Sequence, residues 1–181
     1  MKRSEVNCEQ YIYEVDGIVY QCKDDVPITG ACITLNGNGQ KKLELNYING
    51  VRNGVSRRFF ESGQVQLELN YKDGELNGLA KDYHENGKIE FKLNYNNGKL
   101  DGLVIGYDYN GKMNVKEKYK NGRLNGLRTN YYSNGQKSIE GNYKDGKPDG
   151  LPTIWLENGQ INSNEYAMGL KYIFEGLVNF D

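Results

Sequence analysis

Residues 71–94 read YKDGELNGLAKDYHENGKIEFKLN, and the same pattern recurs along the chain with a period of 24 residues. Residues 95–118 (YNNGKLDGLVIGYDYNGKMNVKEK) and 119–142 (YKNGRLNGLRTNYYSNGQKSIEGN) align with it column by column. A fixed period of this size is the signature of a repeat protein, in which each unit packs against its neighbours. The alignment predicts six repeats, at residues 23–46, 47–70, 71–94, 95–118, 119–142 and 143–165.

Glycine occupies three columns of the repeat, represented by Gly74, Gly78 and Gly87. Asn86 precedes the third, and Asn-Gly between two strand-like runs predicts a type I′ turn, in which both central residues need positive φ. The first two columns bracket a longer loop, so each repeat is expected to hold two strands, one tight turn and one looser turn. The predicted turn-forming residues are Gly74, Gly78, Asn86, Gly87, Gly98, Gly102, Asn110, Gly111, Gly122, Gly126, Asn134 and Gly135.

Apolar and polar side chains alternate along the strand-like runs. In residues 88–95 the apolar Ile89, Phe91, Leu93 and Tyr95 alternate with polar neighbours. Period-two alternation predicts a sheet with one apolar face and one wetted face. We therefore expect an all-β fold, an elongated, twisted, single-sheet antiparallel meander of tandem 24-residue β-hairpins. Its apolar face must be covered by curling, by a partner or by a second copy.

The two ends of the chain differ from the repeats. Residues 1–22 contain two short β-like runs around Asp16-Gly17 and are predicted to form an N-terminal capping hairpin. Residues 166–181 are predicted to form a C-terminal cap. Within that cap, residues 170–180 suit a strand better than a helix, although the spacing of Leu170, Ile173 and Leu177 also fits a helix.

Composition and charge exclude several classes of function. The chain has 15 Tyr and 23 Gly, and its net charge is −1, so nothing global favours nucleic acid or anionic lipid. No apolar run follows Met1-Lys2-Arg3, so we expect a cytoplasmic protein, or an exported one if a signal peptide has been removed. The cysteines, Cys8, Cys22 and Cys32, are expected to be reduced thiols, with a Cys22–Cys32 bridge as the alternative in an exported form.

Aromatic residues recur every 12 residues and form the candidate binding face. Such rings can stack across strands as the core of the sheet, and they can also remain open as a docking surface, since interfaces favour Tyr and Trp. The two interpretations are compatible if some rings are packed and others are available. The candidate residues are Phe59, Tyr71, Tyr83, Tyr95, Tyr107, Tyr119, Tyr131, Tyr143 and Trp155.

The sequence lacks a pattern typical of catalysis or of a metal site. The single histidine, His84, has no recurring nucleophile near it and is expected to be an exposed bystander on the polar face. Each loop offers at most two acids, whereas Ca²⁺ needs six or more converging oxygen ligands. We therefore predict no enzymatic activity, no cofactor and no bound metal.

The repeat resembles the MORN repeat, in the variant found in proteins called YwqK-like antitoxins. One full unit of that pattern is matched by Tyr71, Gly74, Gly78, Tyr83, Asn86 and Gly87. Departures include Phe59 and Trp155 in place of Tyr, Ser62 in place of Asn, and Val26 in place of the first-column glycine. The resemblance implies a MORN-like twisted β-sheet and a role in protein or membrane association.

Three functional hypotheses follow. The leading one is a non-catalytic protein-interaction module, in its sharpest form an antitoxin or immunity protein that binds a partner toxin. A cell-wall or carbohydrate-binding repeat protein is the second, but such arrays use paired tryptophans and this chain has one Trp. A peripheral membrane scaffold is the third, and the absence of a basic stripe disfavours it. A homodimer that covers its own apolar face stays open.

Overall fold

The computed structural model describes residues 5–7, 12–21 and 25–162 of the chain. It divides into two compact units, Met1–Lys99 and Leu100–Asp181. Every regular element within the described residues is a β-strand, and none of these residues forms a helix long and apolar enough to cross a bilayer. The C-terminal cap predicted at residues 166–181 lies outside the described residues, and so do Cys8 and Cys22.

Unit 1 is an antiparallel meander. Its sheet runs in the order β1-β4-β5-β7-β8-β10-β11; β6 and β9 add to β5 and β8, and β2 and β3 form a separate hairpin. Among the described strands of this unit, only β1 and β4 pair in parallel. The strands are β1 (Glu5–Asn7), β2 (Ile12–Val15), β3 (Ile18–Gln21), β4 (Gly30–Leu35), β5 (Lys41–Ile48), β6 (Val51–Arg52), β7 (Gly54–Phe59), β8 (Val65–Lys72), β9 (Glu75–Leu76), β10 (Gly78–Tyr83) and β11 (Ile89–Asn96).

Unit 2 repeats the same arrangement, and β12 (Lys99–Leu100) spans the boundary between the units in sequence. Its strands pair in the order β13-β14-β15-β16-β17, with β18 beside β16. They are β13 (Gly102–Tyr107), β14 (Met113–Lys120), β15 (Arg123–Tyr131), β16 (Lys137–Lys144), β17 (Lys147–Pro148) and β18 (Thr153–Ile154). The prediction of an all-β antiparallel meander of tandem hairpins is confirmed.

The turn types are the reverse of the prediction. Asp73 and Gly74 have φ values of 50° and 87°, which form the two-residue type I′ turn that joins Lys72 to Glu75. At the other edge the loop has three residues, because the Gly87 amide donates to the His84 carbonyl (2.9 Å) and the His84 amide donates to Lys88 (2.9 Å). Gly87 has φ 80°, but Asn86 does not have positive φ, so the turn is type I followed by a bulge. The type I′ prediction at Asn-Gly is therefore wrong, because Glu85 adds a third loop residue.

The second glycine column lies beside a break in the strand in unit 1, whereas β15 of unit 2 runs through Gly126 without a break. Asn77 separates β9 from β10, and Gly78 begins β10 with φ 98° and pairs directly with Tyr95 on the next strand. Asn70 spans the break, since its carbonyl accepts from the Asn77 amide (2.8 Å) and its side-chain amide donates to the Leu79 carbonyl. Asn46 makes the equivalent contacts with Asn53 and Val55 one repeat earlier, so the asparagines that precede Tyr47 and Tyr71 are structural.

Each type I′ turn is hydrogen-bonded to the preceding repeat. The Gly74 amide donates to the Arg52 carbonyl (2.9 Å) and the Gly98 amide donates to Leu76 (2.9 Å). In unit 2 the Gly146 amide donates to the Leu124 carbonyl in the same way (2.8 Å). The first glycine column therefore connects neighbouring repeats, as expected of an array whose stability comes from nearest-neighbour contacts.

The β2–β3 hairpin packs over the first repeat. The Val19 amide donates to the Gly50 carbonyl (2.9 Å), and the Val19 carbonyl accepts from the Ile28 amide (2.9 Å). Val19, Ile28, Cys32 and Tyr47 form a buried cluster, against which Ile12 and Leu45 pack. Gly50 is required there, because a Cβ at this position would lie 2.4 Å from Ile18 Cγ2 and 2.8 Å from the Val19 carbonyl.

Cys32 is disulfide-bonded, and its side chain is buried in this cluster. The expectation that all three cysteines are reduced thiols is therefore wrong for Cys32. The cysteine count and spacing could not show the bond, because disulfide formation depends on which strands the fold brings together.

Candidate protein-binding face

One side of the unit 1 sheet carries the apolar side chains, and we call it the aromatic face. The second glycine column lies opposite its tyrosines, as Gly54 pairs with Tyr71 and Gly78 with Tyr95. Small residues lie opposite its leucines, as Ala80 pairs with Leu93. The aromatic face consists of Leu43, Leu45, Tyr47, Leu67, Leu69, Tyr71, Phe91, Leu93 and Tyr95, with the smaller Ser56 and Ala80 between them.

Exposure changes along the aromatic face. Tyr47, beneath the β2–β3 hairpin, is only 6% exposed. Leu69, Tyr71, Leu93 and Tyr95 remain half-buried. The hairpin therefore covers the face at the first repeat, while the next two repeats leave part of it open to solvent.

The 12-residue aromatic series divides into two columns. Tyr71, Tyr95, Tyr119 and Tyr143 lie near the type I′ turns, each opposite a glycine of the second column. The other column lies at the three-residue turns, where Phe59 pairs with Val65, Tyr83 with Ile89, Tyr107 with Met113 and Tyr131 with Lys137. Six strand residues, about 20 Å, separate the two columns. Trp155 forms an isolated bridge with Ile161.

An ion pair occupies the corresponding positions of unit 2. Glu117 stands in the repeat column of Leu45, Leu69 and Leu93, and Arg128 stands in the column of Ser56, Ala80 and Val104. The two residues pair across β14 and β15, with Arg128 Nε 3.1 Å from Glu117 Oε1. Burial, the charge of Glu117 and a hydrogen bond to it together raise the pKa of Tyr119 to about 12. The break in the leucine column was the sequence signal for this pair, and sequence reasoning missed it.

The opposite side of the unit 1 sheet carries a ladder of charged side chains. Arg57 lies 3.6 Å from Glu44 and 3.0 Å from Glu68, and Lys81 lies 3.1 Å from Glu68. Burial alone would raise the pKa of the Glu68 carboxyl, but the hydrogen bonds from Lys81 and Arg57 lower it below its usual value. These charges neutralise one another, so this polar face presents little net charge to a partner.

The polar sides also carry exposed leucines. Leu79 pairs with Asn94 and is 38% exposed. In unit 2, Leu103 pairs with Lys118 and Leu127 with Asn142, and both leucines are exposed. The alternation is therefore less strict than predicted, since the residue after each second-column glycine is apolar but faces solvent.

Arg52 interrupts another apolar column of the repeat, whose later members are Leu76, Leu100 and Leu124. Its guanidinium lies 5.2 Å from the centroid of the Tyr71 ring, and Nη1 donates to the Tyr71 hydroxyl (3.2 Å). Such stacking of a cation on an aromatic ring is favourable. Arg52 thus places a positive charge beside the aromatic face, a feature that the tyrosine columns alone did not indicate.

His84 is not the exposed bystander that the sequence suggested. Its side chain is only 15% exposed, and Nδ1 lies 3.7 Å from Glu90 Oε2. Glu90 lies on β11, the strand that follows the three-residue turn after His84. Across the described ranges, no group of three or more His, Cys, Asp or Glu side chains is placed to hold a metal ion.

Consecutive hairpins with a period of 24 residues define a β-hairpin repeat protein. The family model described as "MORN repeat variant" matches residues 52–73, 76–97, 100–121 and 124–145. The four matched stretches follow one another in tandem, and each ends at the first central residue of a type I′ turn. Repeats of this kind are typical of modules that bind proteins or membranes and are generally non-catalytic. A comparison with curated proteins finds no match.

Proposed function

We propose that this chain is a non-catalytic protein-binding module and that the aromatic face of unit 1 is its contact surface. The observation that carries the proposal is the change in exposure along this face. The hairpin covers Tyr47, whereas Leu69, Tyr71, Leu93 and Tyr95 are half-buried and uncovered within the described residues. A partner that completes the cover would bury apolar surface worth about 25 cal/mol per Å².

A protein partner fits this surface better than a lipid bilayer does. Recognition of anionic lipid uses clusters of about four to eight Lys or Arg side chains. Here the net charge is −1, and the polar face carries basic groups that are already paired with carboxylates. Tyrosine, by contrast, is enriched at protein interfaces because it buries a large ring with few rotatable bonds.

The experiment compares two matched variants on opposite sides of the sheet. Leu93→Asp places a charge on the aromatic face, and Leu79→Asp places the same charge on the polar side. We expect the tagged wild type to capture one stoichiometric protein from native cells, Leu79→Asp to retain it and Leu93→Asp to lose it. Circular dichroism of both variants checks the fold. Capture that both variants retain, or no stoichiometric partner at all, would contradict the proposal.

In its sharper form, the partner is a toxin that this chain neutralises. The likeness of the repeats to those of YwqK-like antitoxins supports this form. Co-expression provides the test, because the chain should restore growth to cells that produce the captured partner, whereas Leu93→Asp should not. A captured partner that is harmless to cells would contradict the toxin hypothesis. It would not contradict the proposal that the chain is a protein-binding module.

We further propose that the protein works in an oxidising compartment, contrary to the cytoplasmic expectation. The disulfide at Cys32 supports this location, since such bonds are rare in the reducing cytosol. Trapping with a thiol-reactive reagent in intact cells, followed by denaturation, should modify only one of the three cysteines. Modification of all three before reduction would place the protein in a reducing compartment.

A further inference from the structure

We propose that a pocket on the aromatic face, between Arg52 and Arg58, binds an acidic peptide segment of the partner through one apolar side chain and a neighbouring carboxylate. This inference rests on the proposed function and specifies the chemistry of the partner.

The pocket has an apolar floor. Its volume is about 200 Å³, and its lining includes Leu43, Leu45, Leu67, Leu69 and Tyr71. Sites for complete small-molecule ligands usually measure about 300–1,000 Å³. The smaller volume suits a single apolar side chain that projects from a longer segment lying on the sheet.

Three arginines, Arg52, Arg57 and Arg58, line the same pocket. Arg52 donates to the Tyr71 hydroxyl, and the exposed Arg58 extends from β7, where it pairs with Leu43 and Leu67. Neither guanidinium has a carboxylate within 4.0 Å among the described residues, whereas the adjacent Arg57 is paired with Glu44 and Glu68. The two cations beside the pocket can therefore accept an external carboxylate, and an arginine can hold one with two parallel hydrogen bonds.

The positive charges of Arg52 and Arg58 occur in one repeat and not in the repeats that follow it. At the column of Arg52 the following repeats carry leucine, and at the column of Arg58 they carry Asp82, Gly106 and Asn130. In unit 2, Arg128 stands in the column of Ser56 and is neutralised by Glu117. Two cations without a carboxylate partner among the described residues, at one apolar pocket, are therefore a local feature of the repeat at residues 47–70 and are not demanded by the fold.

Ser56 adds an unpaired hydrogen-bonding group. Its side chain lines the pocket and is only 3% exposed, and its hydroxyl has no hydrogen-bond partner within residues 5–7, 12–21 and 25–162. The equivalent residue of the next repeat is Ala80, which has no such group. A buried hydroxyl without a partner lowers stability. A small rotation toward a bound carboxylate or carbonyl oxygen would satisfy it, so Ser56 favours a polar ligand atom next to the apolar side chain.

The test uses a defined probe, the fluorescein-labelled peptide acetyl-Glu-Glu-Leu-Phe-Glu-Glu-amide, in a fluorescence anisotropy titration. Arg52→Leu installs the residue of the following repeats, and Arg58→Asn installs that of Asn130, so both changes suit the fold. We expect each variant to bind the peptide about tenfold more weakly, as the loss of a charged hydrogen bond predicts. Arg123→Gln removes one exposed cation from unit 2 as the charge control and should bind like wild type.

Two further probes distinguish recognition of carboxylates from charge-independent peptide binding and from lipid binding. A peptide with glutamine in place of each glutamate should bind about tenfold more weakly to the wild type, and Arg52→Leu should no longer distinguish the two peptides. Vesicles of phosphatidylcholine and phosphatidylserine should not co-sediment with the protein. Equal binding by wild type and Arg52→Leu, or binding to vesicles but not to the peptide, would overturn the proposal. The binding-module proposal would survive that result if Leu93→Asp still abolished partner capture.

Discussion

Arg128 Nε lies 3.1 Å from Glu117 Oε1, and the residues one 24-residue period earlier are the apolar Val104 and Leu93. The side chains are 22% and 13% exposed, so the ion pair is largely removed from solvent. Removing two charges from water costs free energy that their attraction repays only in part. The pair is therefore expected to cost stability relative to the apolar residues of the other repeats, while either charge alone would cost more.

This expectation can be measured with a double-mutant cycle. Glu117→Leu alone leaves the Arg128 cation unpaired and should lower the free energy of unfolding by about 2 kcal/mol. The double variant Glu117→Leu/Arg128→Val installs the residues found one period earlier, Leu93 and Val104, and should be as stable as wild type or more stable. Urea unfolding gives the free energy of unfolding of the wild type, of the two single variants and of the double variant. Strictly additive losses would show that the two charges do not interact.

Tyr119 should titrate later than ordinary tyrosines. Its pKa, raised to about 12 by burial and by Glu117, exceeds the unfolded value of about 10. Because the folded state holds this proton more tightly, the associated stability is complete below about pH 10 and is lost as the pH rises through 12. Carbon NMR of labelled tyrosine should show Tyr119 ionising near pH 12 in wild type and at lower pH in Glu117→Gln. An identical titration of both proteins would contradict the assigned cause.

Docking of the β2–β3 hairpin can be tested at Gly50. In Gly50→Ala the new Cβ would clash with Ile18 and Val19, and the alanine would also be strained by a backbone φ of 78°. Gly98 has φ 74° and open space around its missing Cβ, so Gly98→Ala incurs the backbone strain without the steric clash. Backbone strain of this kind costs about 1–3 kcal/mol.

Thermal unfolding of the two alanine variants isolates the clash. We expect Gly50→Ala to be less stable than Gly98→Ala by about another 1–3 kcal/mol. Tyr47 should also become more accessible in Gly50→Ala, which tyrosine fluorescence quenching can report. Equal stabilities would mean that the hairpin contributes little at Gly50.

The charged ladder predicts sensitivity to acid. The hydrogen bonds from Lys81 and Arg57 lower the pKa of Glu68 below its unfolded value. The stability from Glu68 is therefore present above the unfolded pKa of a glutamate and is lost as the pH falls through the lower, folded pKa. Glu68→Gln should flatten the acid limb of a plot of stability against pH. The exposed Glu75 serves as control, and an equal effect of Glu75→Gln would point to net charge as the cause.

The periodicity of the sequence was sufficient to predict the antiparallel meander. It was not sufficient to predict the charged residues of the candidate binding face. Glycine and tyrosine columns predict strands, turns and alternation because those features depend on local backbone chemistry. The turn types were reversed because Asn86-Gly87 does not show how many residues separate the paired positions, and Glu85 adds one. Arg52, Glu117 and Arg128 were missed because they are exceptions within columns, and their importance depends on which strands lie side by side. A disulfide at Cys32 was only the alternative to reduced thiols for the same reason.

The central claim, that the aromatic face of unit 1 contacts a partner protein, is tested most directly by photo-crosslinking. Phe91 and Lys92 are neighbours on β11, and their side chains lie on opposite sides of the sheet. A photoreactive benzoylphenylalanine at position 91 should crosslink one protein in native cells at a single contact region, and the same probe at position 92 should not. Crosslinking from position 92 alone, or equally from both positions, would contradict the proposed binding face.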